Sequence, residues 1–295
     1  MLSKKFLFVL TLAVLLLTVN PTVDQPARKP ASPLPDYGPL QKNIYVYLTE
    51  QPGIYGLYFI DLNSGQEFGY NAMTPFHAAS TFKLPMNLHL YLEASRGILD
   101  LSESLLFKEK HLEGGTGVLK DEGPGFRYSI SQLSGYSVIH SDNIATNILL
   151  EKLDRQKVKD FMRSLGARVV NNQSNITCPY DLALYMRRIL EFSRSRAPGS
   201  NQLLNHLFNA RYKDRIPAPL PAGARVANKI GSWPPEHTYN DAAYIVHPRR
   251  PYILVINSKE TPGYGQTLPV MHNISLIVYE YQSSVRQEDG VNKAL

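Results

Sequence analysis

Apolar positions change period twice along the chain, and each change marks a shift in organisation. From Gly53 to Leu62 apolar and aromatic residues alternate as a half-buried strand requires, with Tyr55, Tyr58 and Phe59 as its expected core. Asn63-Ser64-Gly65 then supplies a turn, and Gln66 to Tyr70 reads as the return strand. Ahead of this hairpin, Leu40 to Leu48 fits a short helix. After it the period lengthens to that of helices over Ser80 to Ser95, Ile130 to Ser134, Asp142 to Leu153, Arg155 to Leu165 and Asp181 to Arg194. Strand-like runs resume at Arg225 to Ile230, Ala242 to His247 and Tyr252 to Asn257, and Pro269 to Gln282 reads as a last helix. Two strands, a block of helices, three strands and a closing helix predict an α+β fold in which the hairpin joins the later strands in one antiparallel sheet. No internal repeat is present.

The two ends depart from this pattern. Lys4 and Lys5 precede the apolar run Phe6 to Val19, the layout of an export signal. At 14 residues the run is shorter than the roughly 20 of a spanning helix, which favours a signal peptide over a permanent anchor for residues 1–20. Residues 21–36 carry Pro21, Pro26, Pro30, Pro33 and Pro35 and read as an extended tether. The folded domain is expected over 37–285, with a polar tail at 286–295. That organisation predicts an extracytoplasmic monomer that meets the membrane only through its N-terminal segment.

The net charge of +6 suits an anionic envelope surface, but the basic residues are scattered, which argues against nucleic acid as a partner. Cys178 is the only cysteine, so neither an intrachain disulfide nor a C-x-x-C site can form. H-E-x-x-H is absent, so no zinc site is expected, and no cofactor is implied. G-x-S-x-G is absent too, which removes the nucleophile elbow of an esterase. Gly114-Gly115-Thr116-Gly117 lacks the Lys-Ser/Thr continuation of a phosphate loop and reads as a surface turn.

One ordered set of motifs carries chemistry. Ser80-Thr81-Phe82-Lys83 is the only S-x-x-K and opens a predicted helix, so the amine and the hydroxyl share a face. Burial can lower the amine's pKa until it accepts the serine proton, and the helix N-terminus offers N–H groups to an oxyanion. Ser141-Asp142-Asn143 follows 61 residues after Ser80, and Lys229-Ile230-Gly231 follows 88 residues after Ser141. Singly each has a plain reading: Ser141-Asp142 as a helix cap, Gly231 as a bulge. Together, in this order, they point to covalent catalysis.

The set resembles the S-x-x-K, S-D-N and K-T-G triplet of the class A β-lactamase and penicillin-binding-protein family. The likeness spans Tyr37 to the last helix. It implies an antiparallel sheet flanked by helices with a mostly helical subdomain, and an exported serine hydrolase acting on β-lactams or D-Ala-D-Ala-type peptides. It implies that Ser80 attacks a carbonyl, Lys83 helps to remove its proton, and Ser141 relays a proton to the leaving nitrogen. Asn143 would hold Lys83 and the substrate amide, and Lys229, Gly231 and Ser232 would bind substrate, with Ser80 and Ser232 N–H groups as the oxyanion hole.

Two positions depart from that family. Its fast hydrolases carry a glutamate, followed by an asparagine, in a loop between the second and third motifs. Here the glutamates in that interval are Glu151 and Glu191, both inside predicted helices. The loop is short, Ala167 to Ile176, with Thr177 as the expected cap of the next helix and Asn171, Asn172, Gln173 and Asn175 as its polar residues. Asp181, the nearest acid, is expected to serve the helix dipole. Ile230 replaces a hydroxyl residue that contacts a substrate carboxylate, a loss worth about 1.5–3 kcal/mol, and Ser232 is a partial substitute. Acylation is therefore expected with slow release. The alternative is a non-catalytic module that binds or senses penicillin or peptidoglycan.

Overall fold

The computed structural model describes residues 34–285, so the export segment, most of the tether and the tail lie outside the described residues. Helix α1 (Gly38–Thr49) buries Leu40, Ile44 and Leu48, one stripe at four-residue spacing. Strand β1 (Ile54–Asp61) follows and pairs antiparallel with β2 (Glu67–Tyr70). Tyr55 and Phe59 are buried as expected, while Tyr58 is partly exposed.

Three strands close the sheet from the other end of the chain: β7 (Arg225–Trp233), β8 (Thr238–Val246) and β9 (Tyr252–Lys259). The order is β2-β1-β9-β8-β7, antiparallel at every step. All of β9 except its last residue is buried, the signature of a central strand covered on both faces. On one face α1 and α8 (Tyr264–Ser284) enclose a core with Ile44, Phe59, Leu254 and Ile274. On the other lies the helical block, with a larger core that includes Leu88, Leu149, Met186 and Val255.

That block contains α2 (Lys83–Ser95), α3 (Ile130–Ile139), α4 (Asn143–Leu153), α5 (Arg155–Ser164), α6 (Pro179–Ser193) and α7 (Gln202–Phe208). Two short ribbons brace it. Strand β3 (Phe76–His77) pairs with β6 (Ile176–Thr177), and β4 (Ser104–Leu106) with β5 (Arg127–Ser129). The expected α+β arrangement is therefore present, with helix α7 and the ribbons added. No helix among the described residues is long and apolar enough to cross a membrane.

Several boundaries differ from the sequence reading. The segment opening at Ser80 starts as a 3-10 turn, Ala79–Phe82, and becomes α-helical only at Lys83. Thr177 does not cap α6: it pairs with Phe76 in the β3–β6 ribbon, and Cys178 holds the cap position. Gly231 is no bulge, because the β7–β8 register runs unbroken from Arg225 to Trp233. Strand β8 begins at Thr238, ahead of Ala242, through the buried polar residues Asn240 and Asp241. Pro269 sits inside α8, not at its start.

Candidate active site

The turn that carries Ser80 is held from three sides. Ala78 N–H donates to Asn175 O (2.7 Å) and Asn175 Nδ2 to Ala79 O (3.2 Å), which ties the turn to the short loop. Ala79 N–H donates to His77 Nδ1 (3.1 Å), and both Thr81 N–H and Thr81 Oγ1 reach Ala78 O (3.1 and 2.6 Å). This network fixes Ala79 at φ 48°, a left-handed conformation that costs a residue with a Cβ about 1–3 kcal/mol. In a 3-10 turn residues three apart eclipse, so Ser80 and Lys83 share a face as the motif spacing implied.

Lys83 enters the helical block and is buried. Its Nζ donates to Ser141 O (2.6 Å), Asn143 Oδ1 (2.9 Å) and Ser141 Oγ (3.3 Å). Burial pushes the amine down to about 7, against the carboxylates of Asp142 and Glu113, which hold it up. From β7, Lys229 Nζ donates to the same Ser141 Oγ at 2.9 Å and to Ile230 O at 3.1 Å. Burial, and then the repulsion of Lys83, push Lys229 well below the ordinary amine range. One hydroxyl thus stands between two buried amines. Neither amine can be charged without cost, and each favours a neutral neighbour.

Ser141 is itself held at φ 54°, its carbonyl also accepting from Thr116 Oγ1 (2.7 Å). Asp142 caps α4 by accepting from Ala145 N–H (2.8 Å), so the cap reading is right, and its other oxygen accepts from Val118 and Leu119 N–H (2.6 and 2.8 Å). Asn143 holds Lys83 through Oδ1 and turns Nδ2 onto Gly114 O at 2.8 Å. A Cβ on Gly115 would stand 2.9 Å from that Nδ2, at a φ of +96°. Gly114, Gly115 and Thr116 are therefore one wall of the site, not a mere surface turn.

Gly231 meets the turn that carries Ser80. A Cβ there would lie 2.7 Å from Ala78 O and 3.1 Å from Ser80 N, so only glycine lets β7 approach so closely. Ser232 is exposed beside it, and its Oγ accepts from Arg215 Nη2 at 2.5 Å. All seven residues singled out from the sequence, Ser80, Lys83, Ser141, Asn143, Lys229, Gly231 and Ser232, come together around one cleft. Its volume is ≈ 650 Å³, and all of them line it except Lys229, which reaches it through Ser141.

The sequence reading missed other residues of this cleft. Arg215 is almost wholly buried and bonds Gly231 O (2.7 Å) and Asn240 O (2.5 Å) as well as Ser232. It brings a cation to Gly231 and Ser232, the two residues that follow Ile230. No local signal marks it, since it lies in an irregular segment 14 residues before Lys229. Beneath it, Asp241 accepts from Ile216 N–H and Asn228 Nδ2 (3.1 and 3.0 Å), and burial pushes its carboxyl up to about 6. At the rim His77 and Trp233 stack with centroids 4.3 Å apart.

Among the polar residues of the short loop, only Asn175 lines the cleft, and its Oδ1 is buried without a partner. Asn171 instead caps the loop's own turn at Gln173 and Ser174 N–H, and Asn172 bonds Arg163. Asp181 does more than complement a dipole: it is buried and accepts from Arg168 and Val169 N–H (2.7 and 3.1 Å), anchoring the loop's start. Glu151 and Glu191 lie in helices and pair with surface cations. The carboxylates that line the cleft are Glu113, held by Asn147, and Asp214, held by Tyr264. Neither bonds Ser80, Lys83 or Ser141. Among the described residues no group of three or more His, Cys, Asp or Glu side chains is placed to hold a metal ion.

Residues 39–282 match the family model described as the beta-lactamase enzyme family. Beta-lactamase SME-1 of Serratia marcescens is 26% identical over 226 residues, covering 69% of this chain and 74% of that protein. Among solved structures PBP-A superposes with a TM-score of 0.78 at 24% identity, over 87% of this chain and all of that one. A PBP-A mutant solved as an acyl-enzyme complex with penicillin G gives 0.77 at 25% identity, over 85% and 100%.

Proposed function

The chain belongs to the beta-lactamase enzyme family, and from that premise we propose a serine hydrolase that is acylated at Ser80 by β-lactams or D-Ala-D-Ala-type peptides and releases the acyl group slowly. The observation that carries this reading is Ser141 Oγ, bonded by Lys83 Nζ at 3.3 Å and Lys229 Nζ at 2.9 Å beside the Ser80 turn.

In the acylation step Ser80 Oγ attacks the amide carbonyl carbon and its proton passes to neutral Lys83 Nζ. The carbonyl oxygen takes up negative charge between the backbone N–H groups of Ser80 and Ser232. As the C–N bond breaks, Ser141 gives its proton to the leaving nitrogen and is resupplied from the lysine side. Asn143 orients Lys83 and the substrate amide, while Lys229 and Arg215 favour a substrate carboxylate near Ser232. A lysine shifted to about 7 by burial suits a base working at neutral pH.

Release needs an activated water on the acyl-enzyme. The short loop offers Asn175 Oδ1 as an orienting acceptor but no base, and neither Glu113 nor Asp214 bonds Ser80, Lys83 or Ser141. That supports a long-lived adduct. The pattern of Lys4, Lys5 and Phe6 to Val19 supports an extracytoplasmic location, at the peptidoglycan. Full-length protein recovered from the cytosol in cell fractionation would contradict that part.

Intact-mass spectrometry after incubation with benzylpenicillin, with hydrolysis followed in parallel, tests the reading. A persistent adduct absent from Ser80→Ala is the expected result. Rapid hydrolysis without an adduct would contradict slow release, and no reaction at all would favour a penicillin-binding or sensing module without chemistry.

A further inference from the structure

The cleft extends beyond the reacting groups. From Asn143 at the Lys83 end, α4 runs outward past Asn147 and Leu150, and Arg155 opens α5 just beyond; all four line the cleft. The loop between α5 and α6 contributes only Asn175 to the lining, so this outer arm lies open.

Two exposed charges of opposite sign face that arm. Glu113 is fixed by Asn147, whose Nδ2 donates to its Oε2 at 2.7 Å, and it forms no ion pair among the described residues. Arg155 forms neither an ion pair nor a side-chain hydrogen bond among them. Several charged neighbours do pair: Lys108 and Lys110 close on Glu151, Lys152 on Glu103 and Arg163 on Asp160. Asp154, at φ 70°, breaks the helical path between Asn147 and Arg155, and among the described residues no ion pair joins Glu113 to Arg155. A carboxylate and a guanidinium left open toward one cleft complement a ligand that carries both signs.

We propose that this arm is a subsite for a zwitterionic acyl-donor side chain, with its ammonium at Glu113 and its carboxylate at Arg155. The proposal rests on acylation of Ser80 and names the substrate class that such acylation would favour.

The test uses four penicillins that share one nucleus and differ only in the side chain: hexanoyl, aminohexanoyl, adipoyl and α-aminoadipoyl. Rates of adduct formation are followed by intact mass in the wild type, Glu113→Gln and Arg155→Gln. Each is expressed relative to the hexanoyl compound within the same variant, which cancels the influence of Glu113 on Lys83. Two exposed charge contacts together predict that the α-aminoadipoyl donor reacts roughly tenfold faster than the hexanoyl one. Glu113→Gln is expected to erase the advantage of the amine, and Arg155→Gln that of the carboxylate. Equal rates for all four donors in the wild type would overturn the subsite while leaving Ser80 acylation standing. An advantage that survives both substitutions would overturn it too, and no adduct with any donor would overturn the reading on which it rests.

Discussion

Two groups of buried charge lie toward opposite ends of the sheet and follow opposite rules. At one end Asp61, at the close of β1, meets Arg250 ahead of β9 at 2.6 Å, with both side chains almost inaccessible. Ser64 donates to the same carboxylate, and Gln282 of α8 bridges Asp61, Arg250 O and the Tyr37 hydroxyl. Charges are matched in sign there, and the cluster fastens both ends of the domain to the sheet. At the other end Lys83 and Lys229 share a sign, and what lies between them is a neutral hydroxyl. The first arrangement is a structural clamp. The second sets two amines of lowered pKa on one hydroxyl, and perturbed groups of that kind cluster at functional sites.

The largest expected contrast comes from breaking each cluster in turn. Lys83→Met removes the proposed base and should slow acylation by about 10²–10⁴-fold. It should leave the thermal midpoint unchanged or higher, because it removes one of two repelling buried amines. Arg250→Met leaves Asp61 buried without its partner and should cost about 3–5 kcal/mol of stability. The acylation rate of the folded fraction should stay as in the wild type. Denaturant titration beside stopped-time mass spectrometry reads both quantities, and a variant that moved both together would break the distinction.

Gly231→Ala ranks next. Its Cβ would press on Ala78 O and Ser80 N, so the turn at Ser80 or β7 must shift, at about 1–3 kcal/mol. Acylation should fall by a larger factor than stability alone explains, since the turn that moves is the one that carries Ser80.

The smallest effect is in pH dependence, where the clusters have opposite signs. With Lys83 as the proposed base, active when neutral, acylation should rise about tenfold per pH unit below about 7 and level off above it. From about 7 up to the ordinary amine range the unfolded chain binds more protons than the folded one. Stability should therefore rise with pH across that window, and Lys83→Met should flatten part of the rise. For Asp61, burial raises the carboxyl, but the hydrogen bonds from Arg250 and Ser64 outweigh it and hold the pKa below the usual range. Its contribution is present at neutral pH and is lost as pH falls through that lowered value. Chemical denaturation across pH separates the two slopes.

The strongly patterned elements were legible in the sequence: α1 because one face, Leu40, Ile44 and Leu48, is buried, and β1 and β9 because apolar runs fill strands that are buried along almost their whole length. Polar burial was not legible. Strand β8 runs through Asn240 and Asp241 because Asn240 O accepts from Arg215 and Asp241 accepts from Asn228, long-range contacts that no local pattern announces. The motif residues could be found because their spacing is repeated in a known family. Arg215, Glu113 and Arg155 could not, since their placement depends on how loops fold onto the motifs. Asn175 was visible only as one of several amides in a short loop, and the turn at Ala78 and Ala79 is what singles it out.

The most direct test of the account is to locate the adduct and time its loss. Protein treated with benzylpenicillin and freed of excess reagent should carry the added mass on the proteolytic peptide containing Ser80 and keep it through many turnover times of an efficient hydrolase. An adduct mapped to another residue, or one lost as fast as it forms, would contradict the account.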